Sequence, residues 1–191
     1  CETFLTPEQL DEMEPFYPMH TRVCAHCFHV QLPEFVTPDH IFSEYAYFSS
    51  YSTAWVDHAR QYVDDMIQRW DLGPDSWMVE LASNDGYLLQ HAVARGIPVL
   101  GIEPAASVAE VAREIGVDTL VEFFGRAVAE DLVAQRGHAD LIAANNVLAQ
   151  VPDLDDFVGG IAILLAADGV ATIEFPHLLR LMAENQFDTI Y

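Results

Sequence analysis

Residues 77–104 read Trp77-Met78-Val79-Glu80-Leu81-Ala82-Ser83-Asn84-Asp85-Gly86-Tyr87-Leu88-Leu89-Gln90-His91-Ala92-Val93-Ala94-Arg95-Gly96-Ile97-Pro98-Val99-Leu100-Gly101-Ile102-Glu103-Pro104. Val79 to Ala82 form an apolar run that ends in the small, polar turn Ser83 to Gly86. Leu88, Leu89, Ala92 and Val93 then recur at helical spacing within Tyr87 to Arg95, and Gly96 is a stop signal. Ile97 to Ile102 are a second apolar run, closed by Glu103. Strand, tight turn, helix and a strand tipped by a carboxylate make up half of a nucleotide-binding α/β fold.

That arrangement already restricts the ligand. A glycine in the first turn lets backbone N–H groups approach a bound molecule, and a carboxylate at the second strand's tip can accept two ribose hydroxyls. Dinucleotides favour G-x-G-x-x-G, because pyrophosphate rests on bare backbone at a helix N-terminus. Only Gly86 is present here, and Glu80 and Asp85 add negative charge. Such a turn repels pyrophosphate and accepts a ligand carrying an ammonium and a sulfonium. S-adenosylmethionine therefore fits better than NAD. The competing reading is any α/β domain with an acidic strand end.

Outside this stretch, the chain has 191 residues, 51% of them hydrophobic, enough for one core and a small appendage. Its formal charge is −22, from 8 basic and 30 acidic residues; every basic residue is arginine. Nucleic acid and anionic membrane surfaces are disfavoured as partners. No apolar run reaches bilayer length and no secretory signal precedes the fold, so a cytoplasmic location is expected. Two of the three cysteines lie in Cys24-x-x-Cys27, which suits a reducing compartment and a metal or redox role. The first residue is not Met and Tyr191 falls within ordered-looking sequence, so a fragment of a longer protein is expected.

Three regions follow from the pattern. Residues 1–52 lack α/β rhythm. Within them Thr6-Pro7-Glu8-Gln9 is a helix start, and Thr21 to Leu32 read as two short strands joined by a cysteine turn. Tetrahedral thiolate ligation of zinc needs two Cys pairs. Here Cys1 is a candidate third ligand and His26 or His29 a fourth, the alternative being two reduced thiols in a hairpin. Tyr45 to Trp55 concentrate aromatic rings and hydroxyls, either as packing or as pocket-lining donors to a developing oxyanion. Residues 53–74 are a linking helix, Thr53 to Trp70, with Trp55, Ala59, Tyr62, Val63, Met66, Ile67 and Trp70 on one face. Leu72 to Asp75 end it.

Residues 75–191 alternate helix and strand. Helices are expected at Ser107–Ile115, Arg126–Gln135 and Leu154–Leu165, the last weakened by Gly159-Gly160. Strands are expected at Asp118–Phe123, Asp140–Asn145 and Gly169–Phe175. This is an α/β, Rossmann-like parallel sheet, whose ligands bind beyond the strands' carboxyl ends. Ser83 to Gly86, Glu103, Asn145 to Val147 and Glu174 to His177 all fall at such ends.

Several segments, taken in order, resemble one family: Cys24-x-x-Cys27; Tyr45-x-Tyr47-Phe48-Ser49-Ser50-Tyr51-Ser52-x-x-Trp55; Glu80-x-x-Ser83-Asn84-Asp85-Gly86; Gly101-Ile102-Glu103-Pro104; Asn145-Asn146-Val147; Glu174-Phe175-Pro176-His177; and Phe187 to Tyr191. The chain resembles the S-adenosylmethionine-dependent sugar C-methyltransferases, which act on nucleotide-linked 4-keto-deoxysugars in natural-product pathways. The resemblance implies an N-terminal zinc domain with four Cys ligands, a central donor-binding domain and a C-terminal α/β domain. Only Cys24 and Cys27 match zinc ligands, and Cys1 sits where the family has none. The resemblance also implies truncation at both ends, with a His-Glu-His run carrying the catalytic base falling after Tyr191. The chain alone is then expected to be inactive.

For the site, the resemblance implies Tyr47 and Tyr191 as donors or orienters around the substrate. It implies Glu80, Ser83, Asn84, Gly86, Glu103, Pro104, Asn145, Asn146 and Val147 around the methyl donor, and Tyr51, Gln150 and His177 towards the sugar. Gln150 departs from the family's usual His, keeping hydrogen bonding but losing titration near neutrality. For His177 a satisfied loop histidine is the bland alternative. Competing functions are a fragment that binds the donor without turnover, an NAD-linked oxidoreductase and a zinc-organised interaction domain. The oligomeric state is not legible.

Overall fold

The computed structural model describes residues 7–11, 13, 16–18, 20–42 and 47–186. Cys1, Tyr45, the segment 187–190 and Tyr191 lie outside the described residues. The N-terminal region holds a short 3-10 helix, Pro7–Asp11, and a hairpin of β1 (Arg22–Val23) and β2 (Val30–Gln31), paired antiparallel as the cysteine turn requires. After α1 (Pro38–Phe42) and a 3-10 turn at Ser49–Tyr51 comes α2 (Thr53–Trp70). Ser52 caps α2, its Oγ accepting from Trp55 N at 3.3 Å, and Asp71 ends it in the left-handed conformation at φ 51°.

The main sheet takes β3 (Met78–Leu81), β4 (Val99–Ile102), β5 (Thr119–Leu120), β6 (Ala139–Asn145) and β7 (Leu165–Glu174), in the order β5-β4-β3-β6-β7, every pair parallel. Between the strands run α3 (Leu89–Val93), α4 (Ala106–Glu114), α5 (Arg126–Arg136) and α6 (Leu154–Leu164), and α7 (Leu178–Ala183) follows β7. The order reverses between β3 and β6, the switch point where such sheets bind ligands.

Strand alternation divides the core. Met78 packs with Ala59, Val63 and Met66 of α2, Leu89 and Ala92 of α3, and Leu141. Val79 and Leu81 face the other way, onto Ala129 and Leu132 of α5 and Phe157, Ile161 and Leu164 of α6. The expected linking helix is thus one wall of the sheet's own core, although the chain does turn sharply after it.

Four details differ from expectation. The first βα helix is regular only over Leu89–Val93, because i→i+3 bonds tighten both ends: His91 N donates to Leu88 O at 3.1 Å and Gly96 N to Val93 O at 2.9 Å. The third strand keeps only Thr119–Leu120. The fifth begins at Leu165, with an irregularity opposite Ala139–Leu141. A Cβ at Gly169 would lie 2.9 Å from Ala139 O. Finally, Gly159-Gly160 are packing residues: a Cβ at Gly160 would stand 2.8 Å from Gly125 C, so its bareness lets α6 approach the start of α5.

Candidate functional site

The site is built on the turn after β3. Ala82, Asn84 and Gly86 all have positive φ (56°, 50° and 78°), coiling Ser83 to Gly86 tightly at the carboxyl end of β3, the central strand. Asparagine tolerates this region and glycine is at home in it. A Cβ at Gly86 would stand 3.1–3.3 Å from Val117, Ala112 and Ile115, so the missing side chain admits α4 and its following loop. Ser83 is fully buried. Its side chain occupies the space that a Cβ at Gly101 would need, and its hydroxyl has no partner among the described residues.

Glu103, only 4% exposed at the tip of β4, binds this turn. Its Oε2 accepts from Asn84 N at 3.0 Å and its Oε1 from Ala105 N at 2.9 Å. Pro104, half-buried, has no N–H, so the carboxylate serves the next donor along, where α4 begins. Burial pushes the Glu103 carboxyl above its ordinary value; the two backbone N–H groups act against that, and Asp85 adds to it. Each oxygen keeps a further acceptor lone pair.

Glu80, on the α2 side of β3, is completely buried, and neither oxygen has a well-aligned hydrogen-bond partner among the described residues. Burial pushes its carboxyl well up; the Tyr87 hydroxyl offsets this in part, while Glu103 and Asp85 reinforce it. Asp85 is buried as well, with Oδ2 accepting from Ser50 N at 3.0 Å and Oδ1 unpartnered among the described residues.

Beside these acids opens a cavity of about 250 Å³ between α2 and the ends of β6 and β7. Trp55, His58, Tyr62, Tyr87, Asn145 and Glu174 are among the residues that line it. Tyr62 Oη and Thr172 Oγ1 share a hydrogen bond of 2.5 Å, and Asn145 Nδ2 donates to Tyr87 Oη at 3.5 Å. Burial raises both phenols, Tyr62 to about 12, so each stays a neutral donor at physiological pH.

The structure thus brings Glu80, Ser83, Asn84, Gly86, Glu103 and Pro104 around one turn, with Asn145 at the neighbouring strand end. Asn146 is exposed at φ 54°, its N donating to Glu174 O at 2.7 Å, and Val147 packs into the α5–α6 side of the core. Tyr47 and Tyr51 are 46% and 82% exposed, and neither lines the cavity. Gln150 is exposed, its Nε2 donating to Asn146 O at 3.2 Å. His177 caps α7, Nδ1 accepting from Arg180 N at 3.4 Å, the bland role set beside the sugar-binding one. Sequence reasoning did not single out Tyr87, Thr172 or His58, and it read Tyr62 only as core. A phenol within an apolar helix face was the available signal, since buried hydroxyls require partners.

In the hairpin, Cys24 N donates to His29 O at 2.9 Å and Phe28 N to Cys24 O at 3.0 Å, with Phe28 left-handed at φ 62°. Backbone N–H groups of Cys27 and His26, then the Cys27 thiol, lower the Cys24 thiol's pKa. Donors turned onto a sulfur favour its thiolate, the form that ligates metal. Among the described residues, however, no three His, Cys, Asp or Glu side chains come together as a metal site, so His26 and His29 do not complete one with the two cysteines.

Residues 1–42 match the profile of a family described as "Putative zinc binding domain", and residues 79–173 that of a methyltransferase domain. The chain is 34% identical over 178 residues to C-methyltransferase NovU of Streptomyces niveus, covering 93% of this chain and 42% of that protein. The chain therefore spans less than half the length of this curated relative. Among solved structures, the plantazolicin methyltransferase BpumL, in complex with a triazolic desmethylPZN analog and SAH, superposes with a TM-score of 0.54 at 10% identity. The match covers 75% of this chain and 55% of that one. An S-adenosylmethionine-dependent methyltransferase from Clostridium acetobutylicum superposes at 0.53 and 14% identity, over 66% of this chain and 52% of that one. At such identities these two speak for the fold alone. With that fold, residues 79–173 match a methyltransferase domain profile, and over 93% of its length the chain is similar to a C-methyltransferase.

Proposed function

We propose that this chain carries the methyl-donor site of a C-methyltransferase whose whole protein methylates carbon beside the ketone of a nucleotide-linked 4-keto-deoxysugar. The observation that carries the reading is Glu103: a buried carboxylate at the tip of β4, oriented by two backbone N–H groups and retaining acceptor capacity for two ribose hydroxyls. The donor set fits S-adenosylmethionine, because Asp85 and Glu103 put acidic groups where a cationic ligand would rest. Glu103 would hold the ribose, the backbone of Ser83 to Gly86 would underlie the amino-acid portion, and Asn145, Asn146 and Val147 would flank the reacting end. When bound, the cofactor supplies an electrophilic methyl group.

The rest falls to protein side chains. The C–H bond next to the ketone breaks, its proton passing to a base that the resemblance puts after Tyr191. The electron pair enters the enolate, whose oxygen Tyr47 and Tyr191 would stabilise as donors. The enolate carbon would then form the new C–C bond as the methyl's bond to sulfur breaks, that electron pair staying on the sulfur of S-adenosylhomocysteine. Gln150 serves by hydrogen bonding alone, since an amide does not titrate. Zinc on Cys24 and Cys27, with ligands from outside the described residues, would hold the hairpin as a structural unit. NovU, by its name, is a C-methyltransferase, which supports carbon as the acceptor.

The test is turnover by the full-length protein with methyl-labelled donor and a nucleotide-linked 4-keto-deoxysugar. Label on a ring carbon is expected. Label on oxygen or nitrogen, or none despite donor binding, overturns the reading.

A further inference from the structure

We infer that Asn84 is a positioning residue: its side chain clamps the Tyr47–Tyr51 segment onto the donor-binding turn. Both side-chain hydrogen bonds of Asn84 among the described residues point to that role. Oδ1 accepts from Ser49 N at 2.8 Å, and Nδ2 donates to Tyr47 O at 3.0 Å, across 35 and 37 residues of sequence. The Asn84 backbone N meanwhile donates to Glu103 Oε2. A single residue therefore contacts both the acid at the tip of β4 and the backbone of Tyr47. Asp85 adds a second stitch from the same turn, through Ser50 N.

Chemistry gives the clamp its strength. Ser49 is buried, and a buried N–H without an acceptor is costly, so the Asn84 amide is what lets the segment lie down here. Both polar atoms of the amide hold the segment, each keeping one further hydrogen-bonding position. Tyr47 stands half-exposed at the clamped end. Where it stands relative to the crevice depends on the Asn84–Tyr47 bond, and a reacting group displaced by 1 Å can lose on the order of 100-fold in rate. This inference rests on the proposed reading of Tyr47 as a substrate-side donor.

The experiment uses the full-length protein with Asn84→Gly, which accepts the left-handed backbone and loses both clamp bonds. Asn84→Asp keeps the acceptor for Ser49 but not the donor to Tyr47. Without any ligand, the Ser49 amide is expected to exchange with deuterated water at least ~10-fold faster in N84G and near wild type in N84D, the loss of one buried hydrogen bond. S-adenosylhomocysteine affinity stays within about threefold in N84G while kcat falls ~10-fold or more, the signature of misplacement without lost cofactor contact. Combined with Tyr47→Phe, N84G costs little beyond the larger single effect, because the two act through one side chain.

Unchanged Ser49 exchange overturns the clamp. So does cofactor affinity lost with kcat intact, or additive effects of the two substitutions. Wild-type protein that binds no S-adenosylhomocysteine refutes the methyl-donor reading instead, and the exchange measurement still decides the clamp.

Discussion

Replacing Gly160 by alanine sets helix propensity against packing, and the structure decides between them. An alanine inside α6 gains about 1 kcal/mol of propensity over glycine. Its Cβ, however, would stand 2.8 Å from Gly125 C, 2.9 Å from Gly125 O and 2.9 Å from Phe124 Cε1. Carbon atoms prefer roughly 3.5–4.0 Å. Two of these neighbours are backbone at the start of α5 and cannot swing aside, so relief requires the helices to separate. Overpacking of this kind costs ~1–3 kcal/mol. A mid-range cost outweighs the propensity gain and leaves a net destabilisation of about 1 kcal/mol. For a chain of this length that lowers Tm by roughly 2–4 °C.

Gly159 is the internal contrast. The three atoms nearest its Cβ all belong to the guanidinium of Arg126, which can swing aside at the expense of its hydrogen bond to Asp155 O, so Gly159→Ala should be milder than Gly160→Ala. Gly73→Ala, with nothing within 4 Å, is the open-space control. Thermal unfolding followed by circular dichroism reads all three. A Gly160→Ala protein melting at or above wild type would refute the reasoning, because α6 would then have room that the distances deny.

Glu80 should make stability fall as pH rises. Its folded pKa lies above the unfolded value, so the native state holds more protons once pH passes the ordinary carboxyl range, and the slope of stability with pH is negative there. Glu80→Gln removes that contribution. Urea midpoints between pH 5 and 8 should then decline less steeply than in wild type, and an unchanged slope would contradict the buried, raised carboxyl. Tyr62→Phe deletes the hydroxyl bound to Thr172 and should lower unfolding free energy by about 0.5–1.5 kcal/mol. A urea titration with no change would show that water replaces the partner.

Much of this fold was legible because its determinants are local. Alternation and spacing located β3, β4, β6 and α2 closely, and α2 runs over Thr53–Trp70 as its apolar face and the Leu72–Asp75 stop indicated. What escaped was set by distant contacts. Gly159-Gly160 read as a helix weakness, since nothing local reveals that Gly125 lies against them. β7 starts at Leu165 because its register is fixed by β6, not by its own composition.

The site divides the same way. Glu103 was identifiable as the acid ending the second strand, whereas the side-chain bonds of Asn84 and Asp85 reach a segment 35 residues away that carries no spacing signal. Gly86 was expected to give a ligand access; that its bare Cα also admits α4 was not legible, since a bare Cα looks alike in sequence whichever side needs it.

The central claim is that the carboxylate of Glu103 holds the methyl donor. The direct measurement is isothermal titration of S-adenosylhomocysteine into wild-type and Glu103→Gln protein, with circular dichroism to verify folding. Loss of a charged hydrogen-bond acceptor removes ~1.5–3 kcal/mol, so the account predicts a dissociation constant raised roughly 10- to 100-fold. A correctly folded Glu103→Gln protein binding within about threefold of wild type would contradict it.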